Sequence, residues 1–544
     1  MKIKKFIINK YRSIERVEID FPDKQPLVLF GANNAGKSNI LSALNVALGE
    51  FYPINSEMKD SDYFMRDKVA NPEIQFYCKF TDTIHTSKYG NAYDAIVLNF
   101  YADVTKNNTF TDKDFNKLYI SNDDRAKCQS RLIDAVRNIV SEFNYSSKYS
   151  ILSKFSHKIH EALTVDKKIR LSGLFSEIIS VFSSLDKFTE FEKCFKDSTA
   201  SALAGFSYGL EVDFSGYDPN NYTKSLRIQG KEGNDIRSLD EMGTGEQQVL
   251  LLSFIKSYME VFTNENFVLI IEEPEAHLHP LAQRWLKEYM LQMCEAGIQV
   301  VISTHSTEFL DAKYLDSLVR VYKENGITKI KQINAKQLCE KCLELKSSPQ
   351  NTKQENILDF YEARLLHEQL KGFFADKIIL VEGDTEYFSL PYYFKNCGIS
   401  LAQHGVEIIN CHGKDKILSY YRLFKAFGYD CYCLFDGDSN LGNDEYKAVF
   451  KIDDINNADN VCVATNQYAY FGKDFETYMR KNIDTYTTTE NEVKTTYFIN
   501  AKPLLAKIVA QKNNFQPAFI ADIFSLFIKK PEKIEIPDDE DLPF

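Results

Sequence analysis

Gly31-Ala32-Asn33-Asn34-Ala35-Gly36-Lys37-Ser38 carries the spacing G-x-x-x-x-G-K-[ST], and its reading decides the first half of the chain. Glycines at these positions let backbone N–H groups close around phosphate oxygens, where side chains would have no room. Leu27–Phe30 before the loop is apolar and strand-like, and Ile40, Leu41, Leu44 and Leu48 after it recur at helical spacing. Strand, glycine loop and helix in that order form the context in which the pattern binds a nucleotide. Lys37 is then expected to reach the β- and γ-phosphates and Ser38 to ligate Mg²⁺. Asn33, Asn34, Gly36 and Asn39 complete the expected ATP-binding set.

Four later segments extend this reading. Phe267-Val268-Leu269-Ile270-Ile271-Glu272-Glu273 is an apolar run ending in two carboxylates, as in a buried parallel strand that delivers acids to a nucleotide at its C-terminal edge. Glu272 is expected to hold the Mg²⁺ shell and Glu273 to polarise the attacking water. Val300-Val301-Ile302-Ser303-Thr304-His305 is a second such strand, ending in a histidine that can sense the γ-phosphate. Met242-Gly243-Thr244-Gly245-Glu246 precedes an apolar helix whose N-terminal N–H groups suit an anion. Pro274-Glu275-Ala276-His277-Leu278-His279-Pro280 follows the acidic pair. In this order the segments resemble the ABC-type ATPases of the SMC-like and RecF-like kind, with Asn9-Lys10-Tyr11-Arg12-Ser13-Ile14 matching their opening strand motif. The resemblance implies that Gly243, Thr244 and Gly245 bind the nucleotide of an opposite subunit, so that a homodimer or homotetramer is required. Two departures stand out: Glu272 occupies a position where many of these ATPases have Asp, and only Gln75 offers itself as the glutamine of their Q-loop. His277 and His279 have no supporting ligand cluster, so zinc is not expected there.

A second constellation lies downstream. Val381-Glu382-Gly383-Asp384-Thr385-Glu386 follows the strand-like run 377–381, and Asp436-Gly437-Asp438 follows Cys431-Tyr432-Cys433-Leu434-Phe435. If the two strands are neighbours, Glu382, Glu386, Asp436 and Asp438 converge at one sheet edge, where hard oxygen ligands suit Mg²⁺ or Mn²⁺. The order V-E-G-D-T-E, then Gly413-Lys414, then D-G-D resembles the Toprim domain of topoisomerases, primases and OLD-family nucleases. With an ATPase in front and a helical insertion inside it, the layout resembles the OLD-family endonucleases over nearly the whole chain. That resemblance implies a two-metal, DNA-cleaving site, with Lys502 as a lysine that stabilises phosphate charge and Glu476 as an outer ligand. It also implies anti-phage defence, alone or with a helicase or retron partner. The alternative is an SMC-like or RecF-like DNA clamp whose Toprim domain only binds, although four carboxylates facing phosphate give a pure binder nothing. Primase chemistry needs a polymerising companion site, and topoisomerase chemistry a tyrosine domain; neither is recognisable.

Composition bounds the rest. A chain of 544 residues should form two or three domains, and 44% hydrophobic with 26% charged residues is ordinary globular composition. The formal charge of −12 is unexpected for a nucleic-acid binder, so a local basic groove is required. Eleven cysteines, an odd number in a long chain, fit a reducing compartment, and the lone Cys339-x-x-Cys342 and Cys431-x-Cys433 pairs read as buried thiols. With no membrane-length apolar run and no signal peptide, the expected location is the cytoplasm. The expected fold is α/β: an ABC-type ATPase at 1–123 and 204–345, interrupted by a helical arm for dimerisation at 124–203. A polar linker with a helix carrying Leu358, Leu365, Leu366 and Leu370 on one face follows at 346–371, then a Toprim domain at 372–535 and an acidic tail at 536–544.

Overall fold

The computed structural model describes residues 2–49, 52–53, 58–85, 92–103, 105–121, 124–125, 128–133, 143, 150–191, 193–194, 228–232, 235–262, 266–276, 278–350, 352–438 and 443–529. They form two compact units, one of residues 1–135 with 266–544 and one of 136–265. The first unit holds three sheets.

Two belong to the ATPase. An antiparallel sheet runs in the order β2 (Ile14–Asp20), β1 (Ile3–Tyr11), β4 (Glu73–His85), β5 (Ala92–Tyr101), β6 (Thr109–Thr111) and β7 (Lys117–Leu118). The second runs β14 (Ile327–Gln332), β13 (Leu318–Glu324), β3 (Leu27–Phe30), β12 (Gln299–Thr304), β11 (Asn266–Glu272) and β8 (Cys128–Ile133). Within it β13, β3, β12, β11 and β8 are parallel, and only β14 returns antiparallel. Strands covered on both faces read as continuous apolar runs, and β3 and β12 are buried at every position. The helix Lys37–Leu48 follows β3 and buries Ile40, Leu41, Leu44 and Leu48, the residues whose spacing predicts it.

The helical insertion begins later than the sequence pattern suggests. The helical arm expected at 124–203 rests on apolar residues at helical spacing (Leu132, Ile133, Val136, Ile139, Val140 and Phe143), but Leu132 and Ile133 lie in β8, paired in parallel register with β11 from Cys128↔Asn266 to Ile133↔Ile271. An edge place in an apolar parallel sheet overrides the local periodicity of a short run. Val136, Ile139 and Val140, from the same pattern, lie outside the described residues.

The second unit contains the helices Ile151–Glu161 and Val165–Ser183, the hairpin β9 (Gln229–Glu232) with β10 (Asp235–Ser238), and the helix Thr244–Phe262. Phe254 on that last helix packs edge-on against Phe143 and Phe155, at 5.4 and 5.2 Å between ring centroids. The acidic tail at 536–544 lies outside the described residues.

The Toprim sheet runs β16 (Val406–Asn410), β15 (Lys377–Val381), β17 (Asp430–Asp436), β19 (Tyr468–Phe471) and β18 (Cys462–Ala464). All but β18 are parallel. Its core joins Ile379, Val381, Tyr432 and Leu434 to Phe471, Phe475 and Phe519. The ATPase and Toprim parts meet through Phe30, the last residue of β3, whose ring lies 5.5 Å from Phe373 and 6.3 Å from Phe427. Beside it, Arg320 of β13 is buried, donates to the carbonyls of Phe427 (3.1 Å) and Gly428 (2.8 Å), and stacks over Tyr429.

The single helix expected after the polar linker is broken. It spans Ile357–Arg364, and a separate 3-10 turn, Gln369–Phe374, begins after four irregular residues. Gln369 is wholly buried, accepts from the Leu366 N–H at 2.9 Å and donates to the Asn410 carbonyl at 2.9 Å, which ties the break to β16. Leu366 is left exposed.

Candidate nucleotide and metal sites

The nucleotide site forms where β3, β11 and β12 end together. Gly36 has φ +110, and a Cβ built there would stand 2.2 Å from Thr328 Oγ1, so the loop accepts glycine alone at this point. Thr328 in turn donates to the Ala35 carbonyl at 2.9 Å and meets Ser13 Oγ at 2.7 Å. Asn39 donates to Ser13 Oγ at 2.8 Å and Lys323 donates to Asn34 Oδ1 at 3.3 Å, so both asparagines are held at the rim of the loop. Arg12, of the opening strand motif, donates to Asn39 Oδ1 at 3.4 Å and pairs with Asp62 at 2.9 Å.

Lys37 is buried, and its ammonium donates to the carbonyls of Gly31 and Ala32 at 3.0 Å each and meets His305 Nε2 at 2.9 Å. Burial lowers its pKa to about 8 despite Glu273, Glu275 and Glu272 nearby. Ser38 Oγ donates to the Glu272 carboxylate across the gap between the loop and β11. Glu273, one residue beyond the strand, sits at φ +46, a conformation rare for a glutamate and found where strain serves a site. Its Oε1 lies 3.7 Å from His305 Nε2. Lys37, Ser38, Glu272, Glu273 and His305 are thus brought together as the motif order predicts. Glu275, whose role the sequence left open, accepts from the His305 N–H at 2.5 Å.

Three other expectations fare differently. Gln75 is on β4, accepting from Asn9 at 3.4 Å and donating to Asn99 at 3.0 Å, and so is engaged inside the antiparallel sheet. Gly243, Thr244 and Gly245 lie at the N-terminus of the helix Thr244–Phe262 in the other unit, where Glu246 accepts from the Gly243 N–H at 3.0 Å. His277 lies outside the described residues; His279 caps the helix Pro280–Glu295.

The carboxylate site forms where the neighbouring parallel strands β15 and β17 end. Glu382 follows β15 and Asp436 closes β17, with the Asp436 N–H 3.4 Å from Glu382 Oε2. Gly383 opens the next helix, Asp384–Asn396, and Glu386 turns back to accept from the Gly383 N–H at 3.2 Å. That box fixes a buried carboxylate beside Glu382 and Asp436. Burial, reinforced by Glu476 and Glu382, raises Glu386 to about 8; burial, reinforced by Glu386, Glu382, Glu476 and Asp474, raises Asp436 to about 9. Glu382 is raised too, chiefly by burial. Glu476 opens the helix Phe475–Asn482 and accepts from Thr385 Oγ1 at 3.4 Å, while the Phe475 N–H donates to Asp436 at 3.1 Å.

Asp436 and Asp438 differ in exposure, although both lie near Glu382. The strand ends at Asp436, and Gly437 fits between the carbonyls of Phe471 and Gly472, each 2.7 Å from where a Cβ would stand. Asp438 is exposed at the mouth and pairs with Lys414 Nζ at 3.2 Å. Lys414, itself buried, belongs to the Gly413-Lys414 step quoted between the two acidic motifs, where the sequence assigned it no role. Lys502 is exposed at the start of the helix Lys502–Lys512. Lys507 of that helix lies 5.7 Å from the Phe388 ring, and Asn396 donates to the Ala510 carbonyl at 3.3 Å. The helix Lys502–Lys512 therefore packs against the helix Asp384–Asn396.

Like charges packed at this depth raise one another, and a donor set of carboxylate oxygens is the chemistry that Mg²⁺ or Mn²⁺ requires. The residues fit the ion, although among the described residues no three ligands are already drawn to a single point. All eleven cysteines are free thiols, and Cys339, Cys342, Cys431 and Cys433 are buried. Among the described residues no helix is long and apolar enough to cross a membrane.

Residues 27–311 match the family profile described as "AAA domain, putative AbiEii toxin, Type IV TA system", and residues 373–438 match "Overcoming lysogenization defect protein-like, TOPRIM domain". The chain is 24% identical over 429 residues to the OLD nuclease of Thermus scotoductus, covering 76% of this chain and 77% of that one. It is 30% identical over 223 residues to the Old nuclease of Escherichia phage P2, covering 39% and 36%. To the endonuclease GajA of Bacillus cereus it is 24% identical over 228 residues, covering 38% and 32%.

Proposed function

We propose that this chain, which belongs to the family described as "AAA domain, putative AbiEii toxin, Type IV TA system" and carries an OLD-like Toprim domain at 373–438, is a nucleotide-regulated, divalent-metal-dependent DNA endonuclease. The carboxylate cluster at the ends of β15 and β17 carries the proposal: Glu386 is buried and Asp436 half-buried, both are raised in pKa, and Glu382 and Glu476 stand around them. A fold has little use for such a set unless cations bind it. Glu382, Glu386, Asp436 and Asp438 are assigned to the metal and Glu476 to its outer sphere. When bound, two ions supply an activated water and offset charge on the leaving oxygen. Lys414 and Lys502, one at the carboxylates and one at the start of the helix Lys502–Lys512, are assigned to neutralise phosphate charge.

In the ATPase, Asn33, Asn34, Gly36, Lys37 and Asn39 would hold the phosphates, Ser38 would ligate Mg²⁺ with Glu272 holding its shell, Glu273 would polarise water and His305 would read the γ-phosphate. Gly243, Thr244 and Gly245 complete the site of an opposite subunit, so the working form is a homodimer or homotetramer with DNA as substrate. From the family resemblance we assign a cytoplasmic effector of antiviral defence.

The test is calorimetric titration of Mn²⁺ into the wild type and Glu382→Gln, beside cleavage of a labelled duplex. Binding and cleavage lost together in the variant are expected; cleavage that persists without the carboxylate overturns the site. Glu273→Gln is expected to slow ATP hydrolysis about 10²-fold or more with ATP affinity retained, as for loss of a general base. An unchanged turnover number measured by phosphate release would remove Glu273 from that role. Lys414→Met is expected to lower kcat for cleavage roughly 10²-fold, the scale for one preorganised charge donor. Partial recovery in Lys414→Arg would separate lost charge from lost packing.

A further inference from the structure

Two adjacent residues in the break after the helix Ile357–Arg364 touch both halves of the first unit. His367 Nε2 lies 2.9 Å from Thr307 Oγ1 and 3.6 Å from Glu308 Oε1, on the turn that follows His305. Glu368 bonds His412 Nε2 through its carboxylate, and also accepts from Gln369 at 3.1 Å. His412 stands two residues before Lys414, at φ +54, with its N–H on Asn410 Oδ1 at 2.9 Å. The next N–H, from Gly413, donates to the Glu382 carbonyl at 2.7 Å.

Each end of this path stops at a site. On one side His305 meets Lys37, and three backbone steps on, Glu308 faces His367. On the other, the His412-Gly413 turn sets both the Glu382 backbone and the start of the helix whose first residue, Lys414, pairs with Asp438. We propose that His367 and Glu368 are positioning residues through which nucleotide occupancy sets Lys414 and Glu382 for cleavage. The inference rests on the nuclease reading above and names its regulatory element.

The physical case turns on which contacts can change. When Lys37 and His305 turn toward phosphate oxygens, the 2.9 Å contact between them has to loosen, and the turn Thr307–Phe309 moves with His305. A cavity of about 630 Å³, lined by His305, Ser306, Thr307, Lys371, Phe374 and Val406, gives that turn room. The bridge contacts are polar, His367 and Glu368 are partly exposed, and Glu308 is shared with Arg284, so each contact is worth about 0.5–1.5 kcal/mol and is exchangeable. By contrast Phe30 against Phe373 and Phe427, and Arg320 on two carbonyls and Tyr429, are buried and multiply held. They act as the fixed pivot about which the polar bridge shifts. To the extent that nucleotide changes metal affinity at the carboxylates, metal shifts nucleotide affinity by the same factor; the effect on the cleavage rate carries no such symmetry.

The experiment compares wild type, His367→Ala and Glu368→Gln in three readouts: Mg²⁺-dependent plasmid cleavage with and without a slowly hydrolysed ATP analogue, ATP hydrolysis, and amide hydrogen exchange of residues 410–416 with and without the analogue. The wild type should change its cleavage rate with nucleotide by a factor of roughly 5–150, the usual span of allosteric coupling. In both variants that factor should fall to within about two of unity, on the same scale, with ATP hydrolysis and the KM for DNA unchanged. Exchange at 410–416 should respond to nucleotide in the wild type and not in the variants. A variant that keeps the full nucleotide response, or wild-type exchange at 410–416 indifferent to nucleotide, overturns the bridge. The exchange readout needs no cleavage, so a wild type that fails to cut refutes the nuclease reading while the bridge is still judged.

Discussion

Replacing Asp436 by asparagine is expected to reduce DNA cleavage by roughly 10²–10³-fold or more, on the scale of one lost preorganised electrostatic contact, and to stabilise the metal-free protein at alkaline pH. The two effects share one cause. Asp436 is raised from the ordinary aspartate value to about 9 by burial and by Glu386, Glu382, Glu476 and Asp474. Between the unfolded value near 3.8 and the folded value of about 9, the folded chain keeps a proton that the unfolded chain has lost. Stability therefore falls as pH rises through that window, by up to about 1.4 kcal/mol per pH unit for one such group. Glu386, raised to about 8, adds the same sign. The Asp436→Asn substitution removes the aspartate's own share and, by taking away a neighbouring charge, relieves part of that on Glu386. Thermal unfolding in chelator at pH 5.5 and 8.5 checks this. The wild type should lose more stability between the two than Asp436→Asn, and Mn²⁺ should restore the wild type far more than the variant. Parallel pH profiles, or equal rescue by metal, would contradict the coupled-carboxylate account.

Lys37→Ala is expected to weaken ATP binding by about 10²-fold or more, since charge-assisted contacts to phosphate are among the strongest and each tenfold is about 1.4 kcal/mol. Cleavage measured without nucleotide should remain, because Lys37 belongs to the nucleotide site and not to the carboxylate cluster; its sensitivity to ATP should vanish. The lysine's pKa supplies a sharper signature. Burial lowers it to about 8 in the nucleotide-free fold, against 10.5 when exposed. Between these values the folded protein binds fewer protons than the unfolded chain, so stability rises with pH there, and below about 8 the buried charge is a standing cost. Phosphate binding needs that charge, so wild-type ATP affinity should weaken above pH 8 and the variant's should not. Fluorescent-nucleotide titrations from pH 7 to 9.5 measure it. A wild-type affinity flat across that range would show that Lys37 does not meet the phosphates.

The sequence discloses those parts of the molecule in which local pattern and tertiary place agree. Leu27–Phe30 and 267–271 are apolar runs because their strands are covered on both faces, and the acids after them stand where parallel strands end. Glu386 was legible from the V-E-G-D-T-E order, and the structure shows it closing a helix-start box on the Gly383 N–H. The misreadings occur where tertiary contacts overrule a short pattern. Leu132 and Ile133 belong to an edge strand that β11 recruits from far along the chain, which no local repeat encodes. The break at 365–368 depends on Gln369 reaching the Asn410 carbonyl, a pairing across 41 positions. Lys414 was quoted as a motif element, but its pairing with Asp438 was not legible because only folding brings the two together. Arg320 and Phe30 look like ordinary strand residues until Tyr429 and Phe427 come to lie against them.

The most direct test of the account is conversion of supercoiled plasmid in Mg²⁺ or Mn²⁺, with and without ATP, by the wild type and by Asp436→Asn. The predicted result is cutting that requires the metal, changes in rate when ATP is added and is lost in the variant. Cutting that survives chelation or survives Asp436→Asn would contradict it, as would a wild type that binds Mn²⁺ and DNA yet leaves the plasmid intact.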